Sequence, residues 1–363
     1  MTKDTTDLFN PLVLGPNTLR NRIVMAPMTR NRAGAGNVPH AMNAEYYRQR
    51  AGAGLIITEA SQVSPEGVGY PATPGIHSPQ QVAGWKQITQ VVHSAGGLIY
   101  IQLWYCGRIS HPDLLPDHQQ PVSASAITPQ GEASTLEGMK PFVEPRALDM
   151  DELPGIVEQY RKAAENARAA GFDGLEIHAA NGYLLDQFLR DGSNQRDDDY
   201  GGSIANRSRL LMEIVGAVSQ VWDMSQIGVR ISPENSFNDM RDSDPQTTFD
   251  YLAKHLGNKG IGYLHVFEGD MMGAEPKVEY RQIKQNFGGI YMANSGYDYN
   301  RARNALRRGE ADLVSFGVPY LANPDLAERF RTGTRLNVPD QATFYGGDAH
   351  GYTDYPFIIG TQE

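Results

Sequence analysis

The chain has 363 residues, 40% hydrophobic and 20% charged, and its 32 basic and 42 acidic side chains leave a net charge of −10. That composition supplies a large core and excludes wholesale disorder, while the acidic balance without a Lys/Arg cluster argues against a nucleic-acid partner. Cys106 is the one cysteine, which excludes an internal disulfide and a thiolate metal site. The opening MTKDTTDLFNP has no apolar stretch of signal-peptide length and no run is long enough to cross a bilayer, so a cytoplasmic protein without membrane contact is expected.

In chain order, the turn signals Pro11, Gly15 and Pro16 predict a small N-terminal hairpin that closes one end of the fold. Eight short β-rich runs follow: Arg22 to Ala26, Leu55 to Glu59, Leu98 to Leu103, Leu175 to His178, Ile227 to Ile231, Tyr263 to Val266, Gly289 to Ala293, and Leu313 to Phe316. Each precedes a stretch with helical patterning, which predicts an α/β fold, a single (β/α)8 TIM barrel occupying 1–363 as one domain. Ser78-Pro79-Gln80-Gln81 reads as a capping box ahead of Val82, Trp85, Ile88 and Val92. Ile156, Val157, Tyr160, Ala163, Ala164, Ala167 and Ala170 keep one apolar helical face, stopped by Gly171. The excursion 105–146 after the third strand, rich in Pro, Ser and His, is too long for an ordinary loop and reads as a lid-like insertion over the barrel mouth.

Polar residues collect where strands end, the face on which such barrels carry their sites: Thr29, Glu59, Gln102, His178, Asn181, Arg230 and Asn294. In Gly174 to Tyr200 an apolar run breaks into His178, Asn181 and Tyr183. If the turn after His178 is helical, residues three apart share a face, and His178 and Asn181 point at one spot. Two neutral donors there suit an oxygen that gains negative charge, and Tyr183 adds a weak acid of ordinary pKa about 10. Each has a plain structural alternative as well: a satisfied core His, an Asn cap, a core Tyr. Arg230, a cation inside a strand, needs an anion, either Glu59 or a neighbouring carboxylate, or a ligand. A metal-dependent barrel hydrolase remains an alternative, although no H-x-H is present and no metal ligand set is identified.

The run HAANGYL followed by NQRDDDYGGSIANR resembles the Old Yellow Enzyme family of flavoprotein ene-reductases, nearest to the branch acting on nitrate esters and N-ethylmaleimide. The likeness extends from Leu8-Phe9 to Gly351-Tyr352-Thr353-Asp354-Tyr355-Pro356. It implies FMN in the barrel, with Arg230 at the N1 and C2 carbonyl side, Gln102 at the pyrimidine edge and Thr29 at the C4 carbonyl. Pro27, Met28 and Ala60 would line the ring. The phosphate would fall to Asn294, Ser295 and Gly296 and to Phe316, Gly317 and Val318. Here the chain departs from its relatives: Ser295 stands where Gly is commoner and Val318 where Arg or Lys is expected, leaving backbone N–H groups to cradle the phosphate. A further departure is Tyr105-Cys106-Gly107, where a His commonly follows Trp104.

By the same likeness His178 and Asn181 would hold the substrate oxygen, Tyr183 would donate a proton, and Tyr70, Trp104 and Tyr352 would surround the substrate. No G-x-G-x-x-G follows a strand, so NADPH or NADH must visit the barrel mouth itself. The implied activity is ping-pong reduction of enones, maleimides and nitroalkenes, with nitrate esters as further small-molecule acceptors, by a monomer or homodimer. A flavin-binding redox sensor without turnover is the remaining alternative.

Overall fold

Short β-branched and aromatic runs separated by amphipathic helices bury both faces of every strand only if the sheet closes and the helices wrap it. The computed structural model describes residues 6–358. A hairpin of β1 (Leu12–Leu14) and β2 (Asn17–Leu19) opens it. The barrel strands are β3 (Ile23–Met25), β4 (Leu55–Gln62) and β5 (Ile99–Trp104), then, after the short β6 (Val122–Ser123), β7 (Glu132–Thr135), β8 (Gly138–Pro141) and β9 (Arg146–Ala147), the strands β10 (Gly174–Ala179), β11 (Ile227–Ile231), β12 (Tyr263–Phe267), β13 (Ile290–Asn294) and β14 (Leu313–Phe316). They close as a parallel ring in the order β3-β4-β5-β10-β11-β12-β13-β14, with β14 pairing back to β3. All eight strands coincide with the eight runs expected from the sequence, shifted by a residue or so at most ends and by three at the end of β4.

Helices cover the ring: α1 (Ala41–Gln49), α2 (Pro79–Ser94), α3 (Leu153–Ala169), α4 (Leu184–Leu189), α5 (Ile204–Arg207), α6 (Arg209–Val218), α7 (Pro245–Lys259), α8 (Tyr280–Phe287), α9 (Tyr299–Arg307), α10 (Val318–Ala322) and α11 (Leu326–Thr332). The Ser78 capping box forms, with Gln81 as its reciprocal partner. On α3 the buried face is Ile156, Tyr160, Ala163, Ala164 and Ala167, and Gly171 takes a φ of +83° just beyond it.

Inside the barrel three levels stack. The lowest is apolar: Leu14 and Leu19 of the hairpin plug the end against Val24, Leu55, Ile57, Tyr100, Tyr263, Met292 and Leu313. Two glycines make room for its aromatic rings. A Cβ on Gly174 would lie 2.4 Å from the Tyr100 ring, and one on Gly228 would lie 2.1 Å from that of Tyr263, so no larger residue fits. The middle level is polar. Gln102 Nε2 donates to Glu176 Oε1 (2.7 Å), Glu176 Oε2 takes His265 Nδ1 (2.8 Å), and His265 Nε2 meets Ser315 Oγ (2.7 Å). Gln102 and Glu176 are register partners on neighbouring strands, whereas β10 and β12 are not neighbours in the ring, nor are β12 and β14, so the two bonds of His265 cross the barrel interior. The top level opens at the C-terminal mouth.

Residues 105–146 hold the antiparallel pair β7–β8 and the strand β6, which pairs with β9. Ile109 and Phe142 from this excursion pack on Trp104, Cys106 and Tyr183 at the mouth.

Candidate active site

Pro27, Thr29, Ala60, Gln102, Trp104, His178, Asn181, Tyr183 and Arg230 line one cavity at the barrel mouth. Residues from β4, β5, β10 and β11 and from the loops that follow β3 and β10 therefore converge.

The turn that delivers Asn181 is not helical, contrary to the expectation from spacing. His178 still belongs to β10, while Asn181 and Gly182 take left-handed φ values of +57° and +80° before α4 starts at Leu184. Asn tolerates this conformation because its short polar side chain bonds locally. Asn181 N donates to Ser232 Oγ (2.7 Å), its Oδ1 accepts from Asn235 Nδ2 (2.9 Å), and its carbonyl accepts from Asn238 Nδ2 (2.8 Å). With Oδ1 engaged, the amide N–H groups remain as donors toward the pocket. Asp186 holds the turn, accepting from Gly182 N (2.9 Å) while ion-paired with Arg190 in full burial (2.9 Å).

Burial, with help from Arg230 and His265, keeps the His178 pKa well below the ordinary imidazole value, so its ring is a neutral donor. Burial likewise pushes the Tyr183 phenol well above its usual value, with Tyr70 and Cys106 adding to the effect. The two tyrosine hydroxyls are 3.2 Å apart, and the Tyr183 ring stands edge-on to Trp104 (4.9 Å) and His178 (5.0 Å). The Cys106 thiol is buried and pushed far up, an inert neighbour of this cluster.

Arg230 does not pair with Glu59. It donates through Nη2 to Asn294 Oδ1 (2.9 Å), whereas Glu59 accepts from Arg30 N (3.2 Å) and Tyr47 Oη (3.3 Å). Burial lifts the Glu59 pKa to about 7 despite those donors. The carboxylate that offsets Arg230 is Glu176, one level below.

Met28 is half-buried and packs on the main barrel core. Ser295 and Gly296 form a left-handed turn after β13, at φ +89° and +64°, and Arg301 Nη1 ties both of their carbonyls at 3.1 Å. Phe316 ends β14, and Gly317 and Val318 open the short α10. Tyr352 does not reach the pocket. It is wholly buried, stacked on Tyr46 at 4.2 Å, flanked by Arg30 and Arg32 (4.9 and 4.7 Å) and bonded by Asn43 Nδ2 (2.9 Å). The reason is that Arg30 and Arg32 hold the carbonyls of Thr343, Phe344, Asp348, His350 and Gly351, folding the C-terminal segment back over α1 with Tyr352 as its anchor. Tyr345, largely exposed, is the residue of that segment near enough to bear electrostatically on Tyr70 and Tyr183.

Sequence reasoning missed Tyr345, the Asn235 and Asn238 supports, and the middle level of Glu176, His265 and Ser315. The alternation of two along β10 held a signal: counting back from His178, the next side chain on the same face is Glu176.

The donor set tests what this pocket accepts. Trp104 Nε1, His178 Nδ1, and Arg230 Nε and Nη1 are buried without hydrogen-bond partners, an arrangement that disfavours an empty site. Because Gln102 gives its Nε2 to a carboxylate, its Oε1 is left as an acceptor. The pyrimidine edge of a flavin, with acceptors at N1 and the C2 and C4 carbonyls and one N3–H donor, matches Arg230 and Gln102, and leaves the Trp104 and His178 donors facing the space above it. A larger cavity of about 740 Å³ lies among Glu268, Tyr297, Arg301, Arg308 and Glu310. There Arg301 pairs with Glu268 and Arg281 with Glu310, so it lacks the orphaned donors of the barrel mouth. Among the described residues no group of three or more His, Cys, Asp or Glu is placed to hold a metal ion, and no helix is long and apolar enough to cross a membrane.

A closed α/β barrel with a buried cation and neutral donors at its C-terminal mouth is the frame of a cofactor-dependent barrel enzyme. The chain belongs to the NADH:flavin oxidoreductase / NADH oxidase family, whose model matches residues 7–337. It is 42% identical to 12-oxophytodienoate reductase 1 of Oryza sativa subsp. japonica, over 98% of this chain and 94% of that one. It is 41% identical to a probable flavin mononucleotide-dependent alkene reductase of Leishmania infantum, over 97% of both. Morphinone reductase, solved in complex with tetrahydroNAD, superposes with a TM-score of 0.95 at 46% identity, covering 99% of each chain. The resemblance to Old Yellow Enzyme therefore stands, the cofactor is FMN and the reductant a nicotinamide. The chain is a flavin oxidoreductase, which sets aside the metal-dependent hydrolase and the sensor without turnover.

Proposed function

We propose that this enzyme takes hydride from NADPH or NADH and reduces C=C bonds conjugated to a carbonyl or nitro group, by a ping-pong cycle in which both substrates use one face of the pocket. Cyclic enones are the leading substrate class, with maleimides, nitroalkenes and nitrate esters as further acceptors. The observation that carries this reading is the pair of neutral donors, His178 and Asn181, beside a phenol whose proton is retained.

FMN, when bound, supplies hydride transfer; the chain's residues supply the rest. Arg230 and Gln102 would hold the pyrimidine edge, with Thr29 at the C4 carbonyl and Pro27, Met28 and Ala60 against the ring. The turn of Asn294, Ser295 and Gly296 and the segment Phe316, Gly317 and Val318 would present backbone N–H groups to the phosphate. His178 and Asn181 would bind the carbonyl or nitro oxygen and draw charge toward it, making the β-carbon the hydride acceptor. Tyr183 would give its proton to the α-carbon. Tyr70 and Trp104 would wall the substrate, and 105–146 would serve as the lid that keeps water out.

Steady-state rates with NADPH and 2-cyclohexenone test this: parallel double-reciprocal lines are expected. Intersecting lines, or absence of enone turnover by protein that carries FMN, would overturn it.

A further inference from the structure

We infer that Glu176 sets the reduction potential of the bound flavin from beneath the pocket, as the positioning residue for Gln102 and the counter-charge of Arg230. This rests on flavin occupying the barrel mouth as proposed above.

Glu176 does not line the cavity, and it is wholly buried, as are its partners. Both oxygens are engaged, one by Gln102 Nε2 of the neighbouring strand β5 at 2.7 Å and the other by His265 Nδ1 of β12, two strands away, at 2.8 Å. A carboxylate only accepts, so His265 carries its proton on Nδ1, and its Nε2 accepts from the Ser315 hydroxyl at 2.7 Å. Burial disfavours the charged carboxyl, but the charge of Arg230 and the hydrogen bonds from His265 and Gln102 hold its pKa below the ordinary value. His265 and His178 are both held below theirs. The inner barrel thus carries one cation, Arg230, and one anion, Glu176, among neutral groups.

Two consequences follow. Because Glu176 accepts, Gln102 must turn its Oε1 toward the pocket, where it matches a ring N–H and not a carbonyl. Because Glu176 is charged, part of the field of Arg230 is already neutralised. The oxidised ring is neutral and the reduced ring anionic, so Glu176 costs the reduced form more than the oxidised one. Removing its charge must raise the potential.

The test compares wild-type holoenzyme with Glu176→Gln and Glu176→Asp by redox titration against a dye of known potential, alongside the dissociation constant of oxidised FMN. Glu176→Gln should raise the ratio of reduced to oxidised affinity at least about tenfold, as loss of one buried unit charge several ångströms away demands; tenfold is about 30 mV for a two-electron couple. Glu176→Asp, which keeps the charge, should stay near wild type. An unmoved or lowered potential in Glu176→Gln, or an equal shift in Glu176→Asp, would overturn the inference while leaving the enzyme's function intact. Should Glu176→Gln not fold, Glu176→Met removes the same charge with a side chain of similar length, and the potential must rise; an unchanged value refutes the proposal. A folded wild-type protein that binds no flavin would sink both this and the function it rests on.

Discussion

Placing an arginine at Val318 should tighten FMN binding selectively. Val318 is 45% exposed at the start of α10, directly after Gly317. Two cations that could stand in for the missing side chain are committed elsewhere: Arg230 to Asn294 inside the barrel, and Arg329 of α11 to Asp325 and the carbonyls of Arg335 and Pro356. A charge-assisted hydrogen bond to phosphate is worth about 1.5 to 3 kcal/mol when both partners are held. At a position nearly half open to solvent, screening and side-chain entropy take roughly half of that. About 0.75 to 1.5 kcal/mol remains, or roughly three- to tenfold in affinity. Riboflavin, which lacks the phosphate, is the internal control. Dissociation constants for both ligands, measured on wild type and Val318→Arg at one ionic strength, should show a tighter FMN complex and an unchanged riboflavin complex. An unchanged FMN-to-riboflavin ratio would mean that the backbone turn and its neighbours already satisfy the phosphate.

Replacing His178 and Asn181 together by Ala should slow enone reduction by at least about two orders of magnitude with FMN still bound; unchanged turnover would remove the pair from the chemistry. Tyr183→Phe should spare reduction by NADPH and slow reoxidation by enone, with stopped-flow rates of the two half-reactions as the check; equal loss in both would mark a packing role. The phenol pKa is raised and the imidazole pKa lowered, so the proton donor persists above its ordinary pKa and the neutral donor pair persists below that of His. The reoxidation rate should therefore stay flat between about pH 6 and 9.5, and a break near 6.5 that disappears in His178→Ala would contradict this. Tyr352→Ala should lose about 3 to 5 kcal/mol of stability in denaturant unfolding, while Tyr352→Phe leaves the enone KM unchanged. A large KM change in Tyr352→Phe would return that residue to the substrate wall.

The barrel was legible because each strand is a short apolar run, most of them with a polar residue at or soon after the C-terminal end, and because Ser78 and Gly171 punctuate their helices as local chemistry dictates. Most of the pocket was legible for the same reason. Three things were not. The left-handed turn at Asn181 hid behind helical spacing, since a tight turn and a helix bring residues 178 and 181 to the same place by different backbones. His265 and Ser315 are single polar residues in apolar strands and Glu176 shares its strand only with His178, and only the closed ring shows that the three meet across the interior. The C-terminal segment carries several tyrosines without periodicity, so nothing local distinguishes the buried Tyr352 from the exposed Tyr345; the Arg30 and Arg32 donors decide it from more than three hundred residues away.

The central claim is that one flavin, held over Arg230 and Gln102, passes electrons from a nicotinamide to an activated alkene at His178, Asn181 and Tyr183. Anaerobic stopped-flow at the visible flavin absorbance tests it most directly, with NADPH added first and 2-cyclohexenone second. The account predicts bleaching by NADPH and full recovery of the absorbance on adding the enone, with the saturated ketone formed in equal amount. Flavin that bleaches with NADPH but stays bleached in the presence of enone, and recovers only with oxygen, would contradict it.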